Sequence, residues 1–159
     1  MYYKIFESHA QLLKALSHPK RLEIIHLLRD QELPVNKIQE MLGIPQANLS
    51  QHLMILRDKG VVTTRRSGKE IYYNLAHKNF VKASDLIRQI LIEEHKNDPN
   101  ADEFTHKMSE LVPLTADPVC GMRLSPKTAS YAKVYKGQEY YFCAAGCLAK
   151  FTNNSTKYL

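Results

Sequence analysis

No stretch of this 159-residue chain approaches the roughly 20 consecutive apolar residues that a membrane-spanning helix requires. The opening segment Met1-Tyr2-Tyr3-Lys4-Ile5-Phe6-Glu7 also meets a carboxylate before any secretory apolar run, so a cytoplasmic protein with no membrane partner is expected. Cysteine is scarce: Cys120, Cys143 and Cys147 are the whole set, an odd number with none in the first 119 residues. In a reducing compartment that argues against a disulfide framework and for a metal site. Neither a glycine-rich phosphate loop nor a paired-carboxylate constellation is present. A nucleophile made from Cys120 or Cys147 with His106 is the weakest reading of these residues, so neither an enzyme nor a small-molecule substrate is expected. Acidic residues are outnumbered 16 to 22, and most of the +6 net charge lies early. Residues 1–97 carry 15 Lys/Arg against 10 Asp/Glu, and residues 98–159 carry seven against six. A surplus of five is weak support for a polyanion partner, because many basic proteins bind none.

With 44% hydrophobic and 24% charged residues the chain should bury a core, as one ordinary domain or two small ones. Ile5, Phe6, Leu12, Leu13 and Leu16 mark a first helix, and Ser17-His18-Pro19 supplies a cap and an N-terminal proline for a second through Leu22, Ile25 and Leu28. Pro34 starts a third, with Val35, Ile38, Met41 and Leu42 on one face and Gly43 as a left-handed terminator. The fourth, from about Gln46 to Lys59, aligns Leu49, Leu53 and Leu56 and stops at Gly60. Helix, glycine-containing turn and helix make a helix-turn-helix signature. Val61 to Arg66 and Glu70 to Leu75 flank Ser67-Gly68-Lys69 as a β-hairpin, and a long helix returns from about Lys78 to His95 through Val81, Leu86, Ile90 and Leu91. Asp98-Pro99-Asn100 breaks it; residues 101–112 predict a short amphipathic helix.

At 100° per residue, Ala47, Gln51 and Met54 lie opposite the leucine stripe of the fourth helix, with Asn48 and Ser50 at its flanks. Short polar side chains near a helix N-terminus reach base edges and phosphates in a major groove. The hairpin adds Arg65, Arg66 and Lys69, cations suited to phosphate. The run Lys14-Ala15-Leu16-Ser17-His18-Pro19-Lys20-Arg21-Leu22-Glu23-Ile24-Ile25-His26-Leu27-Leu28, with Leu49-Ser50-Gln51-His52-Leu53-Met54-Ile55-Leu56-Arg57-Asp58-Lys59-Gly60-Val61-Val62, closely resembles the ArsR family of winged-helix repressors over about residues 5–95. That resemblance implies a homodimer packed through the first and last helices of this part, presenting paired recognition helices to double-stranded operator DNA. It also places the counterparts of Gln46, Asn48, Ser50, Gln51 and His52 at or near the DNA, although the helical wheel half-buries His52. Two departures stand out. Relatives that sense metal through cysteines in the third helix have no counterpart in Val35-Asn36-Lys37-Ile38, and the Asp and His set of the last helix shrinks to Asp85 with His77 and His95 near the helix ends. A sensor, where one exists, belongs elsewhere in the chain.

The remaining candidates lie in Asp117-Pro118-Val119-Cys120-Gly121-Met122 and Tyr140-Tyr141-Phe142-Cys143-Ala144-Ala145-Gly146-Cys147. Strands are expected over Ser130–Tyr135 and Glu139–Cys143 around a Lys136-Gly137 turn, with a small helix after Cys143. Cys143 at a strand end and Cys147 in the first helical turn can face one point that Cys120 approaches from the opposite side. Three thiolates suit a soft ion, Cu(I) before zinc, because structural zinc wants a fourth ligand and only Met122 or His106 offers one. This segment resembles the YHS domain and the overlapping TRASH pattern of heavy-metal domains over about residues 117–158. The resemblance implies soft-metal binding, copper by usual expectation, with Ser155 standing where a proline is expected.

The fold class read from the sequence is therefore mainly α with small β parts: a winged helix-turn-helix and dimerisation domain over residues 1–96, a linker over 97–116, and a β-hairpin/helix module over 117–159. The expected function is a metal-responsive repressor, released from operator DNA when Cys120, Cys143 and Cys147 take up a soft metal. A metal carrier, a thiol-redox regulator and a repressor with a constitutive zinc module remain as alternatives.

Overall fold

The computed structural model describes residues 2–99, 101, 115–126 and 129–159. They fall into two compact units, residues 1–106 and 107–159. His106 and all but the first residue of the expected short helix over 101–112 lie outside the described residues.

In the first unit, α1 spans Tyr2–Leu16 and α2 spans Pro19–Leu27. The proline sits where the helix has no use for its missing N–H, and His18 caps the helix by accepting the Lys20 N–H at 3.1 Å through Nδ1. A two-residue strand not expected from the sequence, β1 (Leu33–Pro34), precedes α3 (Val35–Leu42), so Pro34 flanks that helix rather than opening it. Gly43, at φ 59°, takes the left-handed conformation that ends α3. After α4 (Gln46–Asp58) come β2 (Val62–Ser67) and β3 (Glu70–Leu75), antiparallel with Val62 opposite Leu75 and Ser67 opposite Glu70. β1 joins the free side of β3, giving the order β1-β3-β2, and α5 spans Asn79–Glu94.

The leucines of α4 explain its orientation: Leu49, Leu53 and Leu56, at helical spacing, are at most 1% exposed against Ile24, Ile25, Leu28, Ile38 and Leu42. Burial of each such side chain favours the fold by roughly 1.5–3 kcal/mol. The periodic apolar residues of α1 and α5 behave otherwise. Ile5, Phe6, Leu12 and Leu13, with Leu86, Ile87, Ile90 and Leu91, remain 36–63% exposed.

A polar joint ties α2 to α5 inside this unit. His26, almost fully buried, lies 3.0 Å from Ser84 Oγ through Nε2 and 2.9 Å from Arg29 Nη2 through Nδ1. A guanidinium only donates, so Nδ1 accepts and the imidazole proton sits on Nε2, facing Ser84. Arg29 also pairs with Asp85 at 3.1 Å; Asp85 is thus an ion-pair partner and not the free polar residue its surface position suggests.

The second unit is smaller. β4 (Thr115–Ala116) and β5 (Arg123–Leu124) pair across the turn that carries Cys120, and β6 (Tyr131–Tyr135) pairs with β7 (Gln138–Phe142). Lys136 and Gly137 both have positive φ, the geometry of a tight two-residue hairpin. Helix α6 (Ala145–Asn153) then buries Phe151 against Phe142 and Tyr140, both rings centred 5.1 Å away. A short 3-10 helix, Ser155–Tyr158, follows. Ser155 donates its hydroxyl to Phe151 O at 2.8 Å, so this residue closes the end of α6 by hydrogen bonding where a proline would have fixed the backbone.

Burial, with Arg29 beside it, pushes the pKa of His26 from 6.5 down to about 4. The folded chain therefore binds fewer protons than the unfolded chain between those values. The contribution of this site to stability is fully present above pH 6.5 and is lost on acidification toward pH 4, by about 3 kcal/mol at most. Denaturant unfolding of His26→Gln across this window should show a flatter pH dependence than the parent; identical slopes would contradict the assignment.

Candidate functional site

Helix α4 turns its leucines inward and so presents the opposite face to solvent. Gln46, Asn48, Ser50 and Gln51 are all exposed there, within two turns of the helix N-terminus. His52 is half-buried, its ring 4.4 Å from that of His18 in tilted contact, and its Nδ1 is buried with no hydrogen-bond partner. Burial and the neighbouring His18, Arg21 and Lys20 lower its pKa, so a neutral ring packed at the junction of α2 and α4 describes it better than a free polar group.

The wing divides its cations. Arg66 and Lys69 are exposed toward the tip. Arg65 is exposed too, but its guanidinium is bound by the Glu32 carboxylate through two nitrogens and stacks over the Tyr72 ring 5.0 Å away. Nothing in the local sequence announces this pairing, since Glu32 lies 33 residues upstream. Between α3, the start of α4 and the wing, Asn36, Gln46, Ser50 and Lys69 help to line an open cleft of about 390 Å³.

The second unit brings its three cysteines together. Cys120 sits in the β4–β5 turn, Cys143 directly after β7, and Cys147 in the first turn of α6. Their sulfurs are 3.5 Å apart for Cys120 and Cys143 and 3.7 Å apart for Cys143 and Cys147, with no disulfide formed. Sulfurs bound at about 2.3 Å to one ion stand about 3.7–4.0 Å from each other, so little movement separates these positions from a ligating set. Cys120 is exposed, the other two are half-buried, and Met122 is exposed.

A fourth group belongs to this cluster. An oxygen of Asp117 and the three sulfurs all lie within 4.8 Å of one another, and among the described residues this is the one such gathering of three or more Cys, His, Asp or Glu ligand atoms. Asp85, His77 and His95 form no such group. Asp117 is completely buried; Oδ1 accepts the Val119 N–H at 2.8 Å and Oδ2 accepts the Cys143 N–H at 2.9 Å. Sequence reading missed its role. The available signal was a buried-type turn, Asp-Pro-Val-Cys-Gly, in which the Asp side chain bonds its own backbone two residues on and Gly121 takes a φ of 75°.

The carboxylate also sets the electrostatics. Burial works to raise the Asp117 pKa, but the Cys143 and Val119 amides and the thiols of Cys143 and Cys147 outweigh it and hold the acid below its usual range. In return, hydrogen bonding to Asp117, then to Cys120, pushes Cys143 up to about 12, and burial raises Cys147. These are neutral thiols at pH 7 that a thiophilic ion must deprotonate to bind. Three sulfur donors at this spacing fit such an ion.

Known proteins match the two units separately. Residues 18–64 match the profile of the bacterial regulatory protein arsR family, and residues 115–159 match the YHS domain. A biofilm growth-associated repressor of Xylella fastidiosa is 42% identical over 81 residues, spanning 51% of this chain and 68% of that protein. The HTH-type transcriptional repressor SmtB of Mycobacterium tuberculosis is 42% identical over 73 residues, 46% of this chain and 54% of that one. Among solved structures, the transcriptional repressor BigR of Xylella fastidiosa superposes with a TM-score of 0.51 at 37% identity, covering 56% of this chain and 91% of that one. A homodimeric winged helix-turn-helix DNA-binding domain from Mycobacterium bovis gives 0.51 at 30% identity, with 58% and 85% covered. These relatives are regulators and not enzymes, and no described helix is long and apolar enough to cross a membrane. The chain belongs to the arsR family of bacterial regulatory proteins, its winged helix-turn-helix part followed by a YHS domain.

Proposed function

We propose that this protein is a one-component repressor that holds operator DNA as a homodimer and releases it when Cys120, Cys143 and Cys147 take up a soft metal ion, Cu(I) foremost. The observation that carries the reading is the convergence of three thiols 3.5 and 3.7 Å apart in a chain whose other unit is a winged helix-turn-helix. Residues 1–96 supply DNA binding and dimerisation, and residues 117–159 supply the metal site. Zinc is the second candidate ion; a sulfur-only triad favours Cu(I) because structural zinc takes four ligands.

Dimerisation draws support from the apolar faces of α1 and α5, too exposed to be left in water. The related Mycobacterium bovis domain is described as homodimeric. In the DNA complex, Gln46, Asn48, Ser50 and Gln51 read or flank base edges, Arg66 and Lys69 hold phosphates, and His52 supports α4 from behind. Arg65 contributes to phosphate binding only as far as Glu32 releases it. Metal release of the operator requires the ion to favour one dimer geometry over another by about 1–3 kcal/mol. A thiol-redox reading has one observation in its favour, the 3.5 Å approach of Cys120 and Cys143, and a response to peroxide in metal-free protein would single it out.

Replacing Arg66 or Lys69 by Ala should reduce the slope of log affinity against log salt by about one each. Replacing Asn48 or Gln51 by Ala should instead lower the preference for operator over random DNA, by about 1–3 kcal/mol for each base edge no longer read. Salt titrations on both DNAs separate the two classes, and identical behaviour of all four variants would contradict the assignment. Under reducing conditions, saturating Cu(I) should weaken operator binding about 5- to 150-fold. The triple Cys→Ser variant should bind DNA as the parent does and ignore copper. An operator isotherm that copper leaves unmoved would defeat the sensor reading.

A further inference from the structure

The thiols come from two chain segments, and one side chain hydrogen-bonds to both. Asp117 Oδ1 holds the Val119 amide inside the turn that carries Cys120, while Oδ2 reaches across 26 residues to the amide of Cys143 itself. The backbone of Asp117 is pinned as well: its N–H donates to Met122 O at 2.9 Å, and its carbonyl accepts the Gly121 N–H at 2.8 Å. Asp117 thus closes the Cys120 turn at three points and ties it to the Cys143 strand end.

We propose that Asp117 is the positioning residue of the metal site: it gathers the thiols through two backbone amides and stays off the metal, leaving a ligand set of sulfur alone. This rests on the reading that the three cysteines bind a soft ion. Two features keep the carboxylate from becoming a fourth ligand. Each oxygen is held 2.8–2.9 Å from a backbone N–H, and although its second lone pair stays open toward the sulfurs, moving either oxygen onto a cation would stretch a bond to a buried donor. The two backbone bonds of Asp117 fix the point from which its side chain reaches, and a rotation that gave up the Val119 amide would remove one of the three ties of the turn holding Cys120. Groups that orient metal ligands without touching the ion matter nearly as much as the ligands themselves.

The test uses the full chain and Cu(I) under reducing conditions. In the parent protein, X-ray absorption should show a sulfur-only shell, and the Val119 and Cys143 amides should exchange slowly both with and without copper. An oxygen in the shell, or loss of protection at either amide on copper loading, would overturn the proposal without any variant. Asp117→Glu keeps the charge but displaces both acceptors. It should lower Cu(I) affinity, measured against a competing chelator, by about 10- to 100-fold with the sulfur count unchanged. Affinity within twofold of the parent would overturn the positioning role. Copper binding that survives the triple Cys→Ser change would instead remove the thiol reading on which this inference rests.

Discussion

Three sulfurs cannot be kept within 4 Å neighbour distances by spacing alone when two of them are 23 residues apart; where β4 meets β7, one buried carboxylate hydrogen-bonds to both segments. Asp117 is costly to bury, and what makes it tolerable is that both oxygens accept backbone amides while the nearby thiols donate to it. The same arrangement bears on protonation: a carboxylate that accepts from the Cys143 and Cys147 thiols stabilises them as thiols, so an ion must displace their protons to bind. Hard cations gain little from such a site, and thiophilic ones gain most.

The other unit is organised by apolar burial. Its core is closed around α2, α3 and α4, whereas α1 and α5 carry apolar residues that this core does not use. Helices with an uncovered apolar face complete themselves against a second chain, which accounts for periodic leucines and isoleucines that would otherwise be a liability. Between the covered and uncovered faces lies the His26–Ser84 and Arg29–Asp85 joint, where α5 meets α2. Any rotation of α5 in a dimer must strain or remake these bonds, because a neutral buried imidazole with one donor and one acceptor has a single compatible arrangement.

Local signals carried much of this structure. Proline at the start of α2, glycine after α3 and the alternating Ile71, Tyr73 and Leu75 placed helices and wing, and the 100° wheel put Gln51 opposite Leu49, Leu53 and Leu56 with Asn48 at the flank. The approach of Cys143 and Cys147 was legible, since a strand end and the first turn of the helix that follows it can face one point. What escaped depended on long-range partners. Glu32 capturing Arg65, Arg29 capturing Asp85, β1 added beside β3, and Asp117 reaching the Cys143 amide all join residues 26 to 56 positions apart in sequence, or pair a strand too short for its own periodicity to show. The apolar stripes of α1 and α5 were visible as stripes, but the pattern alone does not say whether a core or a second copy covers them.

The central claim is that ion binding at the thiols and operator binding at α4 share one free energy. Such coupling is reciprocal, so an ion that weakens the operator complex must itself bind the operator complex more weakly. The direct measurement is the Cu(I) affinity of the free dimer and of the operator-bound dimer, each against the same chelator. The account predicts weaker copper binding on DNA by the factor that copper takes from operator affinity; equal copper affinities in the two states would contradict it.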